Sequence, residues 1–204
     1  MRIKLYSDNN DPKQIQRIVS ALQDGEIIII PTDTTYVLAC NALKERAVER
    51  ICQLKQINPA RHPLTIVCYD ISAISEYARV STPTYKLIKR NLPGLFTFIL
   101  PGLSKLPKIF RSKKNHEVGI RMPKQANTQE VLRNFAGPLM TTSIPQDEDE
   151  EEYLTDPELI DEKWGSRVSL VVDGGKIQLK QSTIVDCTDE EPVIVRQGDG
   201  ILKL

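Results

Sequence analysis

The chain has 204 residues, 40% of them hydrophobic and 26% charged, an ordinary globular balance that can fill one core or two small ones. Its 27 basic and 27 acidic side chains cancel, which disfavours a generic polyanion binder and leaves only a local basic patch open. Cysteines at 40, 52, 68 and 187 form no CxxC pair and the only histidines are His62 and His116, a spacing that argues against structural zinc. There is no signal peptide and no apolar run near the ~18 residues of a membrane span, so the expected setting is soluble, reducing and cytoplasmic.

In chain order, Asp11 caps a first helix with Pro12 in its opening turn. Ile15, Ile18, Val19 and Leu22 form its apolar stripe, and Gly25 ends it. Ile27 to Ile30 is a β-branched run that fits a strand buried on both faces. Pro31 stops it, and Thr32, Asp33, Thr34 and Thr35 place hydroxyls and a carboxylate at the strand end, where α/β sheets open to ligands. The bland alternative is a Thr-rich turn after a buried strand.

Ala47, Val48, Ile51 and Cys52 predict a helix running to about Lys55. Leu64 to Cys68 reads as a strand, Ser72 to Ala78 as a short helix, and Thr82 caps another with Pro83 in its first turn. Leu92-Pro93-Gly94 is a turn before a strand at Phe96 to Leu100. Val118 to Met122 is a strand, Val131, Leu132 and Phe135 mark a helix, and Leu139 to Ser143 is a strand again. The acidic run Asp147 to Glu152 is expected to be a solvated loop. Asp156 caps a short helix, and strands at Val168 to Val172, Thr183 to Asp186 and Val193 to Arg196 close the chain, with Asp173-Gly174-Gly175 as a tight turn. Helices and strands mixed along the whole length imply one α/β domain, 1–204, with a mixed sheet.

Several blocks together resemble one family. PTDTTYVLACNA, residues 31–42, is similar to the PTETVYGLGxxA signature of the YrdC/Sua5 family of threonylcarbamoyl-AMP synthases. Pro93-Gly94 with Phe96 to Leu100 resembles its PGPxTxxL block, Val118 to Pro123 resembles VAVRMP, and Pro138 to Ser143 resembles the strand leading to SAN. Val168 to Gly175, Ser182 to Asp186 and Val195 to Gly198 resemble VDLILDGG, STVVD and xRxG. The blocks keep their order over nearly the whole chain, and the YciO branch is the nearest likeness. The resemblance implies a twisted mixed β-sheet flanked by helices around a large concave basic cavity. It also implies a reaction: L-threonine and bicarbonate give a carbamate that displaces pyrophosphate from ATP. The product, threonylcarbamoyl-adenylate, is the donor for the modified adenosine (t6A) at tRNA position 37. Mg²⁺ is the expected companion of the nucleotide.

The resemblance also implies site residues. Thr34, with Thr32 beside it, falls at the threonine contact. Arg121 falls at the threonine carboxylate, where a bidentate guanidinium suits the anion, and an Arg on an apolar strand needs such a partner. Ser182 matches the threonine side. Thr141 shares a strand face with Ser143. Lys55, Ser143 and Arg196 match nucleotide contacts. No covalent enzyme nucleophile is required, only positioning and charge stabilisation.

The chain departs from the family in several places. The Lys-x-Arg pair becomes Lys55-Gln56-Ile57, with Arg61 across the following loop as the candidate replacement cation. The Asn before a Pro-Leu pair is His62, and Val67 and Cys68 stand in the region of an expected His. Ser-x-Asn becomes Ser143-Ile144-Pro145. Losing one positioned donor to developing charge typically slows a step by about 10²–10³-fold, so synthase chemistry is expected to be weak or altered. With only a short tail after Gly198, the C-terminal domain of longer Sua5 proteins is not expected here. The alternative reading is a YrdC-like module binding tRNA or double-stranded RNA, through the basic stretch Lys105, Lys108, Arg111, Lys113 and Lys114.

Overall fold

The computed structural model describes residues 1–111, 116–145 and 150–204. The elements are β1 (Arg2–Lys4), α1 (Pro12–Gln23), β2 (Ile28–Pro31), β3 (Tyr36–Asn41), α2 (Glu45–Lys55), β4 (Leu64–Val67), α3 (Ile71–Tyr77) and α4 (Thr82–Asn91). They continue with β5 (Phe96–Pro101), β6 (Glu117–Arg121), α5 (Ala126–Phe135), β7 (Leu139–Ser143), α6 (Pro157–Trp164), β8 (Leu170–Asp173), β9 (Thr183–Asp186) and β10 (Val193–Arg196).

Local chemistry accounts for most boundaries. The Asp11 carboxylate accepts the Lys13 N–H at 2.9 Å, an N-cap that satisfies one of the free donors of α1. The four residues Ile15, Ile18, Val19 and Leu22 are the buried side of that helix, and Gly25 takes φ +78° just beyond it, a conformation open to glycine. Helix α4 is capped by Ser81, whose hydroxyl accepts the Thr84 N–H, one residue earlier than the expected Thr82. The expected loop over the acidic run is corrected in part: Glu151 to Leu154 form a 3-10 turn, and Asp147 to Asp149 lie outside the described residues.

Two strands were not expected. β1 has three residues, too few for a periodic signal. β3 is buried along its entire length, so YVLACN shows no apolar–polar alternation. The turn between β2 and β3 also lacks the Asn-Gly or Asp-Gly step that marks short hairpins.

Among the described residues, ten strands form one mixed sheet in the order β1-β8-β2-β3-β7-β4-β6-β5-β9-β10. On one face, Ile27, Ile29, Leu38, Ile66, Phe98 and Ile120 pack beneath α2, α3, α4 and α6. On the other, Ile28, Ile30, Val37, Ala39, Leu170 and Val172 pack beneath α1 and α5. That second core reaches only as far as Leu139 on β7 and Val67 on β4. The rest of this face, across β7, β4, β6, β5 and β9, carries a hollow.

Candidate functional site

Strand alternation decides what faces the hollow. On β6, Val118 and Ile120 point into the first core, so Gly119 and Arg121 point the opposite way. The register carries this across the sheet: Val37 pairs with Ser143, Ala39 with Thr141, Thr141 with Thr65, Thr65 with Gly119, and Thr97 with Ile184. Aliphatic residues under α1 thus give way to a floor of threonines, serine and glycine. Gly119 keeps that floor low, because a Cβ there would stand 2.6 Å from the Thr65 Oγ1 and 3.3 Å from the Thr97 Cγ2.

The hollow encloses about 480 Å³ and is lined by Thr34, Thr65, Thr97, Arg121, Thr141, Ser143, Ser182 and Arg196, with walls from Glu151, Leu154 and the segment 179–181. From β7 to β9 is four inter-strand steps, about 19 Å at ~4.8 Å each, enough for a ligand with two separate polar ends.

Arg121 anchors the centre. It is buried, and its Nη2 donates to the Asp33 Oδ1 at 2.9 Å. The other Asp33 oxygen accepts the Lys124 N–H at 2.8 Å. The Arg121 Nε is buried without any partner, an uncommon cost for a native side chain. Burial pushes the Asp33 carboxyl above the usual carboxylate range, opposed by Arg121, the Lys124 N–H and the more distant Lys180. Burial likewise lowers the Arg121 pKa, which Asp33 raises and Arg196 lowers further.

At the β9 end, Ser182 and Thr97 share a hydroxyl–hydroxyl bond of 3.0 Å. The Arg196 Nη2 donates to the Ser182 carbonyl at 2.7 Å and to its hydroxyl at 3.1 Å. At the β7 end, α2 terminates on Lys55, with Gln56 in the left-handed region at φ 57°, and the Lys55 ammonium donates to the Ser143 hydroxyl at 2.9 Å. Partial burial lowers the Lys55 pKa.

The candidate residues therefore separate into two groups. Thr34, Arg121, Thr141, Ser143, Ser182 and Arg196 line one hollow, and Lys55 reaches it through Ser143. Thr32 does not line it. Its hydroxyl donates to the Thr35 carbonyl at 2.7 Å and accepts the Thr34 and Thr35 N–H groups, so it shapes the turn that presents Thr34. Arg61 is exposed and absent from the lining; its loop is turned by Asn58, which accepts the Ala60 N–H at 3.0 Å. Ile57, where the family has a cation, packs against the hydrophobic core.

Thr65, Thr97, Glu151 and Lys180 line the hollow as well and were not among the sequence candidates. Thr65 and Thr97 are single hydroxyls inside otherwise apolar strands, LTIV and FTFILP, a signal that strand alternation could have flagged. In the basic stretch, the Lys105 ammonium pairs with Glu76 and sits 5.3 Å from the Tyr77 ring centre. Lys113 and Lys114 lie outside the described residues. Among the described residues, no cluster of His, Cys, Asp and Glu is arranged to hold a metal, and no helix is long and apolar enough to cross a membrane.

Residues 20–198 match the family model Sua5/YciO/YrdC, described as telomere recombination. The chain is 35% identical over 201 residues to the Escherichia coli protein YciO, covering 98% of this chain and 96% of that one. It superposes on the crystal structure of E. coli YciO with a TM-score of 0.88, covering 98% and 97% of the two chains at 33% identity. It is 32% identical to the threonylcarbamoyl-AMP synthase of Bacillus subtilis, covering 95% of this chain and 55% of that protein. The crystal structure of Pyrococcus abyssi Sua5 complexed with L-threonine matches with a TM-score of 0.83 at 25% identity, covering 97% of this chain and 57% of that one. On this combination of full-length similarity and shared sheet, the chain belongs to the Sua5/YciO/YrdC family.

Proposed function

We propose that the hollow binds L-threonine, bicarbonate and ATP and forms threonylcarbamoyl-adenylate with release of pyrophosphate. The observation that carries this reading is Arg121: a guanidinium paired with Asp33 that lines the hollow at the centre of a hydroxyl-rich floor. A guanidinium so placed suits an anionic oxygen. The similarity to a Sua5 crystallised with L-threonine supports an amino-acid carboxylate as that anion.

In the proposed reaction the amino group of threonine takes up bicarbonate carbon, losing water, to give a carbamate. A carbamate oxygen then attacks the α-phosphorus of ATP. The new O–P bond forms as the bond to the β-phosphate bridging oxygen breaks, and pyrophosphate leaves. Arg121 and Thr34 hold the amino acid with Ser182 completing the wall beside it, while Arg196, expected at the nucleotide, grips the Ser182 oxygens. Lys55, steered by Ser143, offers positive charge to the phosphates. The catalysis is positioning and electrostatics, without a covalent enzyme intermediate.

Among the described residues no group of three or more His, Cys, Asp and Glu side chains is arranged to hold Mg²⁺, so the nucleotide phosphates would supply part of its shell, and no step is assigned to it. Ile57 and Pro145 leave the nucleotide end with fewer donors, which makes the proposed turnover slow. The test is pyrophosphate release from ATP in the presence of threonine and bicarbonate, repeated with Arg121→Ala. Release that needs both co-substrates and falls by about 10²-fold or more in the variant supports the reading. No ATP binding and no stimulation by any amino acid would end it.

A further inference from the structure

We propose that Thr97 is a further binding residue of the hollow, and that its hydroxyl donates to a carboxylate oxygen of the bound amino acid beside Arg121. This deepens the proposed function and rests on it.

Strand β5 sets the direction of the side chain. Phe96, Phe98 and Leu100 pack into the first core, so Thr97 points the other way, into the hollow that it lines. Phe98 pairs with Ile120 on β6, which brings Thr97 opposite Arg121 one step along the antiparallel ladder. Residues so placed hold their Cβ atoms about 4.5–5.5 Å apart. A carboxylate resting one oxygen on the Arg121 guanidinium therefore brings its other oxygen toward Thr97.

Two neighbours fix the orientation of Thr97. A Cβ at Gly119 would stand 3.3 Å from the Thr97 Cγ2, so the methyl lies over that glycine. The hydroxyl is turned to the Ser182 hydroxyl, 3.0 Å away.

Hydrogen-bond polarity then supplies the donor. The Arg196 Nη2 donates to the Ser182 hydroxyl at 3.1 Å and occupies one of its lone pairs. The bond between Ser182 and Thr97 uses one of their two hydroxyl protons. The other proton remains for the hollow, which both side chains line. A charged donor on Ser182 polarises that hydroxyl and strengthens its own donation to Thr97. The chain thus runs from Arg196 through Ser182 to Thr97, and its free end is the Thr97 O–H. The carboxylates around it are placed elsewhere: Asp33 accepts from Arg121 and the Lys124 N–H, and Asp199 accepts the Gln181 N–H. Glu151 stands in the wall and bonds to neither hydroxyl among the described residues. A carboxylate oxygen on the ligand is the acceptor that this donor suits.

The experiment measures L-threonine binding by calorimetry for the unaltered protein, Thr97→Val, Thr97→Ser, Ser182→Ala and the double variant Thr97→Val with Ser182→Ala. Denaturant midpoints establish that each is folded, and a crystal structure is determined with L-threonine bound. Thr97→Val should weaken binding roughly tenfold, near the worth of one hydrogen bond, whereas Thr97→Ser, which keeps the hydroxyl, stays within about twofold. The double variant should lose less than the product of the two single losses, because one chain is cut twice. In the crystal a carboxylate oxygen should lie within hydrogen-bond reach of the Thr97 Oγ1. Unchanged affinity in Thr97→Val, or a loss in Thr97→Ser as large as in Thr97→Val, overturns the role of the hydroxyl and leaves the threonine site standing. Losses that multiply in the double variant, or a carboxylate seated away from Thr97, overturn it as well. Failure of the unaltered protein to bind threonine overturns both this inference and the proposed function.

Discussion

Under α1 and α5 the second face of the sheet presents Ile28, Ile30, Val37 and Ala39, whereas a few strands further on the same face presents Thr141, Thr65, Gly119 and Thr97. The hydrogen-bonded ladder runs through both halves without a break. The difference lies in side chains alone. Where they are aliphatic, a helix seals the face and the gain is burial of apolar area. Where they are hydroxyls and glycine, a helix packed on them would strip water from polar groups without replacing its bonds. A binding floor can thus arise from a core floor by a change of residue type at fixed register.

The comparison can be broken most forcefully at Arg121. Arg121→Met removes the partner of Asp33 and leaves a buried carboxylate. A loss of about 3–5 kcal/mol at neutral pH is expected, read from denaturant midpoints. Burial already raises the Asp33 pKa, and without the guanidinium it rises further. Protonation therefore removes the unpaired charge as pH falls, and the deficit must shrink toward acid. A deficit that grows in acid would contradict the description of this pair. The double variant Asp33→Asn with Arg121→Met should recover much of the loss and still fail to bind threonine.

In the covered half, Ile30→Ala opens a void beneath α1 and α5 at a fully buried position. The expected cost is about 2–5 kcal/mol in a denaturant titration. Threonine affinity of the folded protein should stay the same, since Ile30 does not line the hollow. Loss of binding here would mean that the two halves are not separable.

Thr141→Val carries the aliphatic chemistry of the covered half into the open one. Valine matches threonine in shape, so stability should move by less than about 1 kcal/mol. Affinity for threonine, measured by calorimetry, should fall roughly tenfold, near the worth of one hydrogen bond. A large stability loss would show that the hydroxyl belongs to the fold instead of the site.

The smallest effect concerns Lys55. Burial lowers its pKa below the ordinary 10.5, so between the folded and unfolded pKa values the unfolded chain binds more protons. Stability should therefore rise with pH in that window as 10.5 is approached, relative to Lys55→Gln. The side chain is only about half buried, so solvent screening keeps the difference under about 1 kcal/mol. Bound phosphate groups favour the charged form and should erase it.

Much of this site was legible in the chain itself. Thr34, Arg121, Ser143, Ser182 and Arg196 stood in ordered blocks that match a family, and the structure brings them to one hollow. Thr32 shared the first block with Thr34, yet in the tight turn the Thr32 hydroxyl is bonded to the Thr35 carbonyl and the Thr34 hydroxyl, and only Thr34 lines the hollow. Arg61 was a reasonable replacement cation by distance along the chain, but its loop carries it to the exterior. Thr97 and Lys180 escaped because their significance depends on neighbours remote in sequence, Ser182 and Thr34.

Capping residues, apolar stripes and β-branched runs act over a few residues, so the sequence by itself determined the helices, most strands and the mixed α/β class. Strand order, the extent of the face that α1 and α5 cover, and the pairing of Arg121 with Asp33 across 88 positions were decided by tertiary structure alone. They depend on which buried surfaces meet and how each buried charge finds a partner, and those are properties of the whole packed chain.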